Sequence, residues 1–183
     1  MSRNYDFRSE SFRPLATAIG ELALVWNDLG MVLSRLFWAA TRIPNGMAAD
    51  AIWNPVKSDR MQRDMIVSLV KLNALGFQLN NNLRKEILWC LNEINNLEDL
   101  RNNAIHSPVL FDSGTVTAWH HLGNLRAKNL SGKNLLTEFR WFYDSVIVLR
   151  EYCEKLTDCF HRPDNPIPRR PVLPNRGTSK SSK

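Results

Sequence analysis

The chain is poor in the residues that build metal centres and covalent frameworks, with three cysteines and four histidines among 183 residues. Cys90, Cys153 and Cys159 are odd in number and none belongs to a C-x-x-C pair, which excludes a disulfide scaffold. They read as reduced thiols of a cytoplasmic protein. A glycine-rich phosphate loop is also missing: Ser131-Gly132-Lys133 lacks the glycine that a P-loop places five residues earlier. Long uncharged apolar runs are absent as well. The longest apolar stretch, Leu15–Ala40, is interrupted by Glu21, Asp28 and Arg35, so no membrane span is expected. The opening MSRNYDFRSESFRP lacks the apolar centre of a signal peptide.

What is present is ordinary globular material, 44% apolar and 23% charged, in a length suited to one domain with one core. The net charge of +6 is concentrated at one end. Residues 161–183 carry six basic groups against Asp164, whereas the rest of the chain carries 18 basic and 17 acidic groups. The basic character therefore belongs to a tail. Such a tail either holds an anionic surface weakly and in a salt-dependent way or simply solubilises the chain end.

Hydrophobic spacing predicts helices. Leu15, Ile19, Leu22, Trp26, Leu29, Leu33 and Leu36 alternate steps of four and three, the stripe of a helix from about Pro14 to Thr41. Ile43–Gly46 supplies turn residues that end it. Ala48–Trp53 forms at most a short helical turn before Asn54-Pro55. Ser58 suits an N-cap for a helix whose stripe is Met61, Met65, Leu69 and Leu72. A third long helix should run from about Asn81 to His106, stopped by Pro108. Val109–Phe111 and Thr115–Trp119 flank Asp112-Ser113-Gly114, a turn between two short strands. Residues 120–134 read as a polar loop. Leu135, Phe139, Phe142, Val146, Leu149, Cys153, Leu156 and Phe160 mark the last helix.

The expected fold class is therefore all-α, a four-to-five-helix up-and-down bundle with a small β-hairpin or loop insertion before the last helix. Its domain plan is an N-terminal arm at 1–13, the bundle at 14–160 and a disordered, basic, proline-rich tail at 161–183, which holds five of the nine prolines.

The informative anomaly lies at the end of the Asn81–His106 helix. With Leu83 at the origin of the wheel and about 100° per residue, Ile87, Cys90, Leu91, Ile94, Leu97 and Ile105 fall between about −40° and about +80°. Arg101 comes back to the origin, at the centre of that stripe, and Glu98 falls at about +60°, also inside it. Asn102 falls at about +100° and His106 at about +140°. Buried polar groups require partners. Either these four form a local helix-end cluster, with Glu98 reaching Arg101 and His106 favoured by the helix dipole, or they face a cleft or a second subunit.

The stretch LEDLRNNAIHSP (97–108) resembles the R-x(4–6)-H signature of HEPN domains, with a polar residue directly after the arginine. Here it reads Arg101, Asn102 and, after four intervening residues, His106. HEPN domains are all-α bundles, and the motif sits near the end of a late helix. The resemblance implies a metal-independent endoribonuclease that works as a homodimer, with RNA as substrate and no cofactor. It implies His106 as general base or acid, Arg101 as the phosphate-binding group, Asn102 orienting phosphate or histidine, and Glu98 supporting Arg101. Many such proteins are toxins or defence proteins, so an antitoxin or nucleotidyltransferase partner is part of the expectation. The alternative is a non-catalytic HEPN-like dimerisation or RNA- or nucleotide-binding module.

Other candidates are weaker. His120-His121 has no accompanying carboxylates or thiols, so a surface loop is favoured over a metal site, and together with Trp119 it is a speculative substrate contact. A phosphoryl-carrying histidine is disfavoured by the position of His106 at a helix end beside proline. The tail's PIPRRPVLP has the character of a proline motif able to dock an aromatic groove.

Overall fold

A computed structural model describes Glu10 and residues 12–72, 79–107, 109–112, 115–118, 125–162 and 164–176. The chain is all-α, a helical bundle with one small hairpin. Its elements are α1 (Arg13–Thr41), α2 (Gly46–Trp53), α3 (Asp59–Leu72), α4 (Asn81–His106), β1 (Val109–Asp112), β2 (Thr115–Ala118), α5 (Leu125–Leu130) and α6 (Leu135–His161). Strands β1 and β2 pair antiparallel, Val109 opposite Ala118 and Asp112 opposite Thr115; Ser113 and Gly114 of the expected turn lie outside the described residues. Helix α5 falls within the segment expected to be loop. At six residues it is short enough to escape periodicity, and its anchors Ala127 and Leu130 are fully buried.

The chain divides into two compact units. One comprises residues 1–25, 97–145 and 174–183. Its core draws on Leu15, Leu22 and Val25 of α1, Leu97 and Ala104 of α4, and Phe139 and Phe142 of α6. The other comprises residues 26–96 and 146–173. There, cross-helix bonds run in a closed circuit through four helices. Trp26 Nε1 of α1 donates to Asp59 Oδ2 of α3 at 3.0 Å. Arg63 Nε of α3 donates to Asn95 Oδ1 of α4 at 2.5 Å. Cys90 Sγ of α4 lies 3.8 Å from the Leu149 carbonyl of α6. Arg150 of α6 returns to Asp28 of α1 at 2.7 Å.

Helices α1 and α6 follow their expected stripes: Leu22, Leu29, Leu36, Val146, Leu149 and Leu156 are all almost fully buried. Helix α1 is also long and apolar enough to cross a membrane by composition, with a window of mean hydropathy 1.2. Its buried side chains nevertheless keep the three-and-four spacing of a helix packed on one face.

Helix α3 departs from the expectation. Met61 and Leu72 are 61% and 72% exposed, whereas Arg63, Ile66 and Val70 form the covered face. The two faces lie about 140° apart on the wheel. An arginine within the buried face hides that face from an apolar count. Ser58 does cap this helix, accepting from the Met61 amide at 3.3 Å.

The tail also departs from the expectation. Residues 164–176 are neither helix nor strand, yet they are held to the helices by side chains. Arg170 Nε donates to Glu86 Oε2 at 2.6 Å, and Trp141 Nε1 donates to the Pro174 carbonyl at 2.8 Å. Low apolar content predicts disorder, but the contacts that order this segment are ionic and aromatic.

Leu156→Ala removes a wholly buried side chain and is expected to cost about 2–5 kcal/mol in urea unfolding, against less than about 0.5 kcal/mol for Met61→Ala. A second expectation concerns acid. The Arg170 guanidinium holds the Glu86 carboxyl below its usual range. A depressed carboxyl contributes stability above its unfolded pKa and loses it as pH falls through the folded value. Arg170 also covers the Trp89 ring at 5.1 Å, so Trp89 reports the contact. Tryptophan fluorescence is expected to change on acidification below about pH 4, and this acid transition disappears in Glu86→Gln.

Candidate functional site

The polar end of α4 belongs to the first unit. The helix closes with the Ser107 amide donating to the Asn103 carbonyl at 3.0 Å. Through Leu97 the covered stripe is the expected one: Leu83, Ile87, Cys90, Leu91, Ile94 and Leu97 are all buried. Over the last turn the covered face rotates. Ala104 and Asn103 become buried at 3% and 5% exposure, while Ile105, expected on the stripe, is 39% exposed. On the same wheel Ala104 lies at about −60° and Asn103 at about −160°, so the cover has moved away from Ile105 and His106.

This rotation sets the character of each candidate residue. Glu98, Arg101 and Asn102 are half-buried and His106 is exposed. Arg101 Nη1 donates to Asn102 Oδ1 at 2.9 Å. That bond links neighbours whose Cβ atoms diverge by about 100°, drawing the guanidinium round the helix. Asn102 and His106 are four residues apart and share a face. Asn102 thus joins the Arg101 and His106 sides of the helix tip, a role the motif spacing alone does not reveal. Arg101 and His106 themselves diverge by about 140°.

Chemically, the tip offers a planar guanidinium suited to phosphate oxygens, a carboxamide that fixes it, and a solvent-accessible imidazole. Trp119, His120 and His121 lie outside the described residues. Among the described residues no group of three His, Cys, Asp or Glu side chains is placed to hold a metal ion. Sequence reasoning missed Asn103 as the buried polar group of this turn, because the wheel placed it on the side opposite the stripe.

No family model, curated protein or solved structure matches the chain.

The exposure of His106 carries a prediction. Replacing it with alanine removes no buried contact, so His106→Ala is expected to shift the urea unfolding free energy by less than about 0.5 kcal/mol. A larger shift would mean that the imidazole is part of the packing.

Proposed function

We propose that the chain is a HEPN-like, metal-independent endoribonuclease that acts as a homodimer in the cytoplasm, as a toxin or defence protein. The observation that supports this reading is the Arg101–Asn102 bond beside an exposed His106 at the tip of α4, in the order of the R-x(4–6)-H signature. The RNA 2′-hydroxyl attacks the adjacent phosphorus as His106 accepts its proton, and the phosphorus–O5′ bond breaks. The products are a 2′,3′-cyclic phosphate and a 5′-hydroxyl, the latter protonated by the acid form of the second histidine of the pair. Arg101 balances the charge that grows on the phosphate oxygens. Asn102 keeps the guanidinium turned toward the His106 side.

The divergence of about 140° between Arg101 and His106 favours a second copy. Two symmetry-related tips would supply an arginine from one and a histidine from the other, with Asn102 holding each guanidinium in place. Ile105, apolar and 39% exposed on the same turn, suits such a contact. Two guanidiniums about 8 Å apart repel by about 2 kcal/mol at an effective dielectric of about 20, a cost that a bound phosphate reverses. Free thiols at Cys90, Cys153 and Cys159, all buried, suit a reducing compartment. An antitoxin or a nucleotidyltransferase belongs to the same reading as a regulatory partner.

The test is incubation of the protein with total RNA in excess EDTA, followed by analysis of end groups. Cyclic phosphate ends are expected, reduced about 10²–10⁴-fold in His106→Ala and strongly in Arg101→Ala. RNA left intact by the wild-type protein, or cut equally by all three, overturns the nuclease reading. Intact RNA that is nevertheless bound would point to the non-catalytic module.

A further inference from the structure

The C-terminal segment is held at two places by the same set of groups. In the second unit, Glu86 and Trp89 stand three residues apart on α4. Arg170 Nε donates to Glu86 Oε2 at 2.6 Å, and its guanidinium carbon lies 5.1 Å from the centroid of the Trp89 ring. The Tyr152 hydroxyl lies 2.8 Å from Glu86 Oε2 and 3.3 Å from the Pro168 carbonyl. Its ring meets Trp89 edge-on at 5.6 Å.

In the first unit, Glu138 and Trp141 stand three residues apart on α6. Arg176 donates through both Nε and Nη2 to Glu138 Oε2, the former at 3.1 Å. Its guanidinium carbon lies 5.0 Å from the Trp141 centroid. Trp141 Nε1 donates to the Pro174 carbonyl at 2.8 Å.

Each place therefore reads the same tripeptide. Pro168-Arg169-Arg170 and Pro174-Asn175-Arg176 both set a proline carbonyl beside an aromatic polar group: Trp141 Nε1 donates to Pro174, and the Tyr152 hydroxyl, whose proton goes to the closer Glu86 carboxylate, lies 3.3 Å from Pro168. Two residues later each presents an arginine to a Glu-x-x-Trp pair. Three residues apart on a helix, the carboxylate and the indole share one face. A guanidinium satisfies both at once: its edge meets the carboxylate and its plane lies over the ring. An ammonium lacks that plane. Proline contributes by restricting both its own φ and the residue before it, so the segment arrives nearly extended.

Val172, between the two tripeptides, is 90% exposed. The side chains of Arg170 and Arg176 remain 47% and 41% exposed. By contrast the Glu138 side chain is only 7% exposed, a carboxylate that needs a cation against it. The slots are thus built into the helices, and what fills them is a half-exposed ligand.

We propose that Glu86–Trp89–Tyr152 and Glu138–Trp141 are two peptide-binding sites of one specificity, each recognising an extended Pro-x-Arg sequence, and that residues 168–176 are their intramolecular ligand. A separate segment with two Pro-x-Arg units at the same spacing binds in place of the tethered one. This assignment is independent of the nuclease reading.

The test uses the full chain with Arg170→Ala and Arg176→Ala together, and a fluorescent peptide of residues 165–176 followed by anisotropy. In the wild type the tethered segment competes at an effective concentration of roughly millimolar, so the peptide binds poorly. The double variant is expected to bind it at least about tenfold more tightly. Lysine in place of both peptide arginines is expected to weaken binding about tenfold. Glu86→Gln with Glu138→Gln, added to the double variant, is expected to abolish it. A double variant with native helical circular dichroism that does not bind the peptide overturns the proposal. So does equal binding of the arginine and lysine peptides. Should the alanine variant unfold, Arg170→Lys with Arg176→Lys is read by the same criteria.

Discussion

One buried charge constrains the unit formed by residues 26–96 and 146–173. Arg63 is 1% exposed, among the most deeply covered side chains of the chain. A guanidinium taken out of water costs several kcal/mol unless its protons and its charge are met. Here Nε finds the Asn95 carboxamide on α4, and the guanidinium carbon lies 5.8 Å from the Trp26 ring of α1. Trp26 in turn donates its indole N–H to Asp59, one turn before Arg63 on α3. Three helices are thereby fixed in rotation by groups that tolerate little displacement. Apolar packing alone would permit α3 to roll toward its methionines. Such a roll would separate Arg63 from Asn95 and from the Trp26 ring, and a guanidinium kept from water without those partners is costly.

The same constraint explains which parts of the fold are legible in the sequence. Helices α1 and α6 are readable because seven or eight apolar residues hold one phase with no charge among them. Helix α4 is readable to its last residue because a dense stripe precedes a proline stop. Helix α3 is misphased because periodicity counts apolar residues and gives Arg63 the wrong sign. The C-terminal segment misleads for a related reason. Disorder rules weigh apolar area, whereas Arg170 and Arg176 are placed by two carboxylates and two indoles. In both cases the missing term is a specific partner from elsewhere in the chain, which composition does not record.

At the tip of α4 the sequence supplies the residue types and their order, and the fold supplies their exposure. The wheel centres Arg101 on the stripe and places Ile105 within it. The observed burial of Ala104 and Asn103 moves the cover to the other side of the turn. Half-buried Arg101 can then reach Asn102, and His106 stays in water. A fully buried guanidinium would be closed to any outside anion, and a buried imidazole would lose its access to protons. The rotation keeps both groups within reach of the surface, and it brings an apolar side chain out beside them.

The distribution of positive charge bears on how RNA would be held. By composition the tail is the basic part of the chain, with six cationic residues between 161 and 183. Two of them, Arg170 and Arg176, are already ion-paired with Glu86 and Glu138. Each phosphate neutralised on a single strand changes the salt slope of binding by about 0.7. Arginines held by carboxylates contribute little to that slope, since counterions are not displaced by charge that is already balanced. Among the described residues, Arg162 and Arg169 are the tail's remaining exposed cations. The tail therefore offers a polyanion fewer free cations than its own six suggest. On the nuclease reading, the α4 tip would add to these a guanidinium held in geometry rather than merely present in number.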